Sequence, residues 1–411
     1  MIIQYTRPER IEEQYPVTYR DTEIRVIAQK IRDRKSVLVC GLGGSGKSHL
    51  LRFLAFHGAI PDTLDIPDIF RLYLDCNAII DEDVASIFRA LLLEVDPHIT
   101  LPDSATAIMA VLRDVLATYL SQHSHMVIVL DRFERFSEEL QPTMLDGLRH
   151  LRDYLDRRVS FVLGMRAPLN IAELSEEFDD LLSEPRTVWV GTLTEEDARW
   201  NVQTILNDQA ITASADMIGT LTTISNGHPR LLRSVTLFWA EHRYESTVLQ
   251  AATLLQNRQI ARICEHIWEG LDPPSQQLAH QLVHGVIADL PADSLLHAHG
   301  FGTTTTKTPW PLQQSVLGAF IQQQQLLPQL TLTALEQRLW DIFQEQPETL
   351  FNREDLISTL YGHNPDGVND EALVALVGRL RRKLTQAGIG TLEAIRGRGY
   401  RFVPTERADQ I

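Results

Sequence analysis

Gly41-Leu42-Gly43-Gly44-Ser45-Gly46-Lys47-Ser48 decides how this 411-residue chain is read. The stretch fits G-x-x-x-x-G-K-[ST] and lies between an apolar run, Ser36–Cys40, and an amphipathic pattern that starts near Lys47. A strand that turns through glycines into a helix gives the pattern its physical meaning. The glycines let backbone N–H groups curl round an anion, and the helix N-terminus adds partial positive charge. On this reading Gly41, Gly43, Gly44, Ser45, Gly46 and His49 form or flank a phosphate cradle. Lys47 meets the β- and γ-phosphates of a nucleotide, and the Ser48 hydroxyl ligates Mg2+. A glycine-rich turn without a ligand is the plainer alternative.

A gripped triphosphate needs a metal partner and a group that positions water. His125-Met-Val-Ile-Val-Leu-Asp131 is an apolar strand ending in a carboxylate. Asp131 is therefore expected in the Mg2+ shell, and Glu134 is placed to polarise the attacking water. Arg166 follows a further apolar run, Val159–Gly164. At that end of an open sheet its guanidinium faces the nucleotide crevice, unless it only forms a salt bridge. With Phe70–Cys76 and Thr187–Val190, these runs alternate with amphipathic stretches up to about residue 230. That is the βα pattern of a parallel sheet covered on both faces.

Past the sheet the pattern changes. Thr194-Glu-Glu-Asp197 signals a helix start, and helical periodicity then runs to about residue 300, broken at Asn226-Gly-His-Pro229. His299-Gly-Phe-Gly302, the run Thr303–Thr306 and Thr308-Pro-Trp-Pro311 predict a hairpin, and Gln322–Gln325 with Pro328 a polar linker.

Composition narrows the classes. Apolar residues at 44% and charged residues at 22% suit a globular chain and exclude wholesale disorder. The length suggests two to four domains at roughly 100–200 residues each. Three widely spaced cysteines (Cys40, Cys76, Cys264) point to a reducing cytoplasm, and no apolar stretch of about 18 residues predicts a membrane span. Thirty-eight basic residues against 54 acidic ones leave −16, which excludes a generally basic surface but not a local basic patch. The pairs His280/His284, Cys264/His266 and His297/His299 lack a third ligand, and no G-x-S-x-G elbow occurs. These pairs read as ordinary helix-surface residues rather than a His/Cys metal centre, and serine-hydrolase and zinc-finger chemistry has no support.

From about residue 15 to 240 the chain resembles the STAND branch of the AAA+-like P-loop ATPases. The resemblance rests on Tyr19-Arg20-Asp-Thr-Glu23, the cradle at Gly41–Ser48, the strand Val127–Asp131, Arg166 at a sensor position, and Asn226-Gly-His-Pro229. It implies ATP as the nucleotide, with Pro229 beside the adenine and a lid closing over it. Arg230 has a second reading, as a lid arginine of replication-initiator ATPases. Residues 258–325, with Trp310-Pro311 and Ser315–Phe320, resemble the winged-helix arm that packs on such ATPases. Two features depart from the family: no long repeat array, and no clear arginine finger beyond the candidates Arg157, Arg158 and Arg186. A slow Mg2+-dependent ATPase switch is the resulting expectation.

The C-terminal residues predict three helices and a Gly-punctuated hairpin, Thr391–Ile395 and Gly399–Val403. From Asn369 to Val403 seven basic residues face three acids, a local charge of +4. A basic helix beside a basic hairpin suits duplex DNA, helix in the major groove and hairpin arginines on phosphate. Candidate contacts are Arg379, Arg382, Arg396, Arg398 and Arg401; a solvated basic face in a protein-contact module is the alternative. Leu332-Thr333 with Glu336, Arg353–Leu356, Arg379–Leu384 and Ile395–Phe402 resemble the winged helix of OmpR/PhoB-type response regulators. By that resemblance residues 369–386 are the recognition helix and 391–403 the wing. Glu371, Leu376 and Gly378 depart from the basic or polar residues common there.

The sequence therefore predicts an α/β P-loop NTPase with a parallel sheet, a helical lid and two winged-helix (α+β) units. The expected segments are 1–192 (ATPase core), 193–257 (lid), 258–325 (first winged-helix-like unit) and 329–405 (DNA-binding unit). The expected function is an ATP-bound switch controlling a DNA-binding transcriptional regulator. Its partners are double-stranded DNA and a second copy of the chain or an upstream signalling protein, without a membrane. The competing functions are a signalling or defence ATPase whose winged helices hold proteins, and an initiator or transposition-type ATPase.

Overall fold

The computed structural model describes residues 11–404 apart from 67, 82, 138–139, 168–180, 243–244, 292–293, 303–309, 325–331, 347–348, 362–369, 387–389 and 396–397. The chain divides into two compact units, Met1–Gln324 and Gln325–Ile411.

The first unit is built on five parallel strands: β1 (Ser36–Cys40), β2 (Ile69–Asp75), β3 (His125–Asp131), β4 (Val159–Met165) and β5 (Leu182–Trp189). Their order in the sheet is β2-β3-β4-β1-β5. Around it lie α1 (Asp21–Arg32), α2 (Lys47–Phe56), α3 (Ile60–Leu64), α4 (Val84–Val95), α5 (Ala105–Leu120) and α6 (Gln141–Tyr154). The period of two in a strand explains why the central runs are apolar throughout. On β1, Val37 and Val39 enter one core while Leu38 and Cys40 enter the other. On β3, Val127 and Val129 share the first core, and Met126, Ile128 and Leu130 the second. Because the chain leaves β1 for the far edge strand β2, the end of β1 opens a crevice between diverging connections, where ligands bind in open α/β sheets.

Helices α7 (Glu195–Asp208), α8 (Ala215–Ile224), α9 (Pro229–Glu241) and α10 (Ala251–Gln256) follow β5, and the Thr194 hydroxyl caps the first by accepting from Asp197 N. Then come α11 (Arg258–Glu269), α12 (Pro273–Val283), α13 (Leu295–Ala298) and α14 (Val316–Gln322). All of these share the apolar core formed on one face of the sheet, through residues such as Leu231, Leu254, Ile267, Leu282, Leu296 and Leu317. The segments expected at 1–192, 193–257 and 258–325 thus fall, up to Gln324, in one compact unit. Of the hairpin expected over 299–311, residues 303–309 lie outside the described residues; the described part of 258–325 holds helices and no strand.

The second unit contains α15 (Ala334–Glu345), α16 (Arg353–Tyr361) and α17 (Asp370–Gln386), with β6 (Leu350–Phe351), β7 (Gly390–Ile395) and β8 (Gly399–Pro404) in an antiparallel sheet of order β6-β8-β7. A capping box between Thr333 and Glu336 starts α15. Leu339, Phe343, Leu356, Leu360, Leu373, Leu376, Val377, Leu380, Leu384 and Phe402 form its core. Leu376, a departure from the family's polar residues, is a core side chain at 1% exposure. Two-residue β6 carries no sequence signal of its own; it exists because Leu350 and Phe351 pair with Arg401 and Tyr400.

Candidate nucleotide-binding site and nucleic-acid interface

Beyond buried β1 the chain turns sharply: Gly41 N donates to Met165 O at 3.2 Å and Ser45 N to Leu42 O at 3.1 Å. Gly44 and Gly46 have φ of +87° and +90°, a conformation that side chains with a Cβ resist. Gly46 caps α2 without a side-chain acceptor, so the first N–H groups of that helix remain open to a ligand. Lys47 follows, buried, and burial pulls its ammonium pKa below the ordinary value against the opposing pull of Glu134 and Asp131. Ser48 and His49 lie along the same cleft.

Asp131, at the end of β3, is wholly buried. Its Oδ2 accepts from Tyr73 Oη at 3.1 Å, while Oδ1 is buried without a partner. Glu134 sits on the short turn Phe133–Arg135, entered through Arg132 at φ +59°. Glu134 Oε1 lies 3.9 Å from Lys47 Nζ and 3.4 Å from Arg166 Nε, and its Oε2 is buried and unpartnered. Arg166 is 77% exposed, so it stands at the mouth rather than the floor.

The break Asn226–Pro229 lies directly on the cradle. Pro229 opens α9, Arg230 N donates to Gly44 O at 3.3 Å, and a methyl group on Gly46 would stand 3.5 Å from Pro229 Cγ. His228 caps α9 through Nδ1, which accepts from Leu231 N at 3.4 Å. Burial first, then Arg20 and Arg230, push its pKa down to about 3, so it is neutral. Asn226 and Gly227 both adopt positive φ, 51° and 60°. Asn226 Nδ2 donates to Trp310 O at 2.5 Å and Trp310 Nε1 to Leu193 O at 3.1 Å. Gly227 lies so close to the indole that a Cβ there would collide with it.

Arg20 ties these parts together. Fully buried and itself at φ +53°, it donates through Nη2 to Ser45 O at 2.7 Å. Its Nη1 donates to Glu23 Oε1 at 2.9 Å, Gly191 O at 3.0 Å and Thr192 O at 3.2 Å. Thr192 in turn meets the 258–324 region: Thr192 N donates to His299 O at 3.2 Å and Oγ1 to Gly300 O at 3.1 Å. One guanidinium thus spans the cradle and the exit of β5 that leads into α7.

In the second unit α17 turns its core residues inward and leaves Val374, Ala375, Arg379 and Arg382 exposed. Glu336 on α15, 1% exposed, accepts from Lys383 Nζ at 2.6 Å and lies 3.5 Å from Arg379 Nε. Burial acts to raise its pKa, yet hydrogen bonds from Lys383 and Thr333 leave the carboxyl below its ordinary value. Arg398 is exposed at the hairpin turn; Arg401 Nη2 donates to Glu393 Oε2 at 2.7 Å. Arg396 lies outside the described residues.

Residues 17–329 match the family model described as novel STAND NTPase 1. The chain belongs to that family. Residues 328–402 match the model for the C-terminal domain of transcriptional regulatory proteins, so this STAND NTPase is fused to a transcription-regulator DNA-binding domain. No curated protein matches the chain. Among solved structures, the Aeropyrum pernix ORC1 protein in complex with DNA is similar at 15% identity and a TM-score of 0.40, over 97% of this chain and 91% of that one. The Walker-type ATPase of Pyrococcus abyssi is similar at 11% identity and a TM-score of 0.44, over 96% and 98%. Both are distant likenesses.

The STAND NTPase cleft holds about 850 Å3, within the usual range for small-molecule sites. Its residues fit a magnesium-bound nucleotide. The P-loop is a ready anion cradle, the orphaned oxygens of Asp131 and Glu134 suit a metal and its water shell, and Pro229 and Arg230 line the same cleft. Tyr15 and Trp200, which also line the cleft, pack with ring centroids 4.6 Å apart and planes tilted by 36°, and Asn201, Thr204 and Asp208 add polar atoms. Sequence reasoning missed this wall, although Trp200, Thr204 and Asp208 recur every fourth residue on α7, a periodicity that marks one helix face. It also gave Arg20 no task. No local signal reveals that a residue ahead of α1 reaches Ser45.

Proposed function

We propose that this chain is an ATP-controlled switch that governs DNA binding by its C-terminal winged helix, acting as a transcriptional regulator. The observation that carries the reading is the seat of Pro229 and Arg230 on the P-loop, because whatever fills the cradle must meet the lid. Bound Mg2+–ATP would supply negative charge at the cradle and a terminal phosphoryl group open to slow hydrolysis. The remaining roles belong to the chain. The P-loop N–H groups and Lys47 bind phosphate, while the Ser48 hydroxyl and the Asp131 carboxylate hold the metal. Glu134 accepts a proton from water, its charge steadied by Lys47 and Arg166. Pro229 closes over the base, with the Tyr15–Trp200 wall at that end.

Arg20, Thr192, Asn226 and Trp310 carry the position of the lid to the 258–324 region. To move such a switch from 1:99 to 99:1, the nucleotide must favour one state by about 5.5 kcal/mol. Arg382, Arg396 and Arg398 then offer charge to duplex phosphates, with Arg379, Arg401 and Lys383 partly committed to internal carboxylates. The direct test is ATP binding by calorimetry with the wild type and Lys47→Ala, followed by duplex retention with each. The reading expects Lys47→Ala to lose ATP and the nucleotide dependence of DNA binding together; a variant that loses ATP yet responds to it unchanged on DNA refutes it.

A further inference from the structure

The outward face of α17 is divided along its length. Toward its N-terminal half Val374 is 48% exposed, Ala375 is exposed, and the next turn presents Gly378, where an added Cβ would meet nothing within 4 Å. Cations follow directly, at Arg379 and Arg382. Val374, Ala375 and Gly378 have no side-chain donor or acceptor, so none of them can read a base edge by hydrogen bonding. In the major groove the apolar feature open to such a surface is the C5-methyl group of thymine. Ala375 and Gly378 add almost no bulk, so little side chain stands between this face of the helix backbone and a surface laid against it. The flanking charges complement a phosphate backbone on either side: Arg382 is exposed on the helix, Arg398 is exposed on the hairpin, and Arg379 is held beside Glu336.

We propose that α17 selects duplex DNA by the methyl groups of thymine, through Val374 and Ala375, while Arg379, Arg382 and Arg398 grip phosphate without regard to sequence. This inference rests on the reading of the second unit as a DNA-binding domain and adds what that domain recognises.

The test uses the full chain with a random-sequence duplex library, in the presence and absence of Mg2+–ATP. Retained duplexes are sequenced, and the enriched site is remade with each thymine replaced by deoxyuracil, which removes only the methyl group. The expected result is enrichment of thymine in the site centre and about a fourfold loss of affinity for each contacted methyl removed. Val374→Ser is expected to erase the thymine–deoxyuracil difference, whereas Arg382→Ala weakens both duplexes by the same factor. Retained duplexes that tolerate deoxyuracil without loss, or that enrich no thymine, overturn the methyl reading and leave DNA binding standing. A chain that retains no duplex under either nucleotide condition overturns the parent reading instead.

Discussion

Replacing Arg20 by methionine should unseat the cradle without touching a nucleotide. The substitution keeps the length and apolar stem of the side chain but removes a guanidinium that donates to Ser45 O, Glu23, Gly191 O and Thr192 O. Three carbonyls and a carboxylate are then left inside the protein, the situation in which losing one partner of a buried charged pair costs about 3–5 kcal/mol. At roughly 2 °C per kcal/mol for a unit of this size, the first unit should melt about 6–10 °C lower. The P-loop would also have to be ordered by the ligand itself. Fixing one residue's backbone costs about 1–2 kcal/mol, so ATP affinity should fall about tenfold. Arg20→Lys should not rescue either effect, because a single ammonium cannot span both the cradle and the strand exit. Arg20→Met combined with Glu23→Gln should recover part of the stability by removing the stranded charge. Thermal melts and ATP titrations on the purified chain measure both numbers. A loss below about 1 kcal/mol with unchanged ATP affinity would refute the reasoning.

Three further outcomes are expected. Gly227→Ala should cost the first unit about 2–4 kcal/mol, from the positive φ and the clash with Trp310, whereas Gly219→Ala, a helical position with open space, should be neutral or stabilising; paired urea melts compare them. Glu336→Gln should preserve the capping box but release Arg379 and Lys383, so non-specific duplex binding should tighten and its log–log salt slope should steepen by about one to two. His228 is neutral in the fold with a pKa of about 3, while the unfolded chain takes up a proton near 6.5. Stability should therefore fall as pH drops below about 6.5, by about 2 kcal/mol at pH 5 from this residue alone. His228→Asn, which still caps a helix, should flatten that limb in melts run as a function of pH.

Much of the first unit was legible because its physics is local. Five apolar runs marked five strands, glycines at positive φ marked the turn after β1, and Asn226-Gly-His-Pro229 marked the break before α9. Within the second unit, periodicity alone placed Leu373, Leu376, Val377, Leu380 and Leu384 in the core. What escaped was contact between residues far apart in the chain. Arg20 and Ser45 are linked by a side chain whose partners are backbone carbonyls, and carbonyls carry no sequence signature. Trp310 read as part of a hairpin, yet its indole meets Gly227 and Leu193 across more than eighty residues. Charge counting treated Arg379, Lys383 and Arg401 as equal to Arg382 and Arg398, because the acids that engage them, Glu336 and Glu393, lie on other elements.

The claim that one site commands the other is tested most directly by a thermodynamic cycle: duplex affinity with and without Mg2+–ATP, and ATP affinity with and without duplex. Linkage requires both ratios to be equal. The account predicts a common factor well above one, or well below one if closure withdraws the winged helix, and a factor of one for Lys47→Ala. Duplex and ATP each binding tightly to the wild type with a factor of one between them would contradict it.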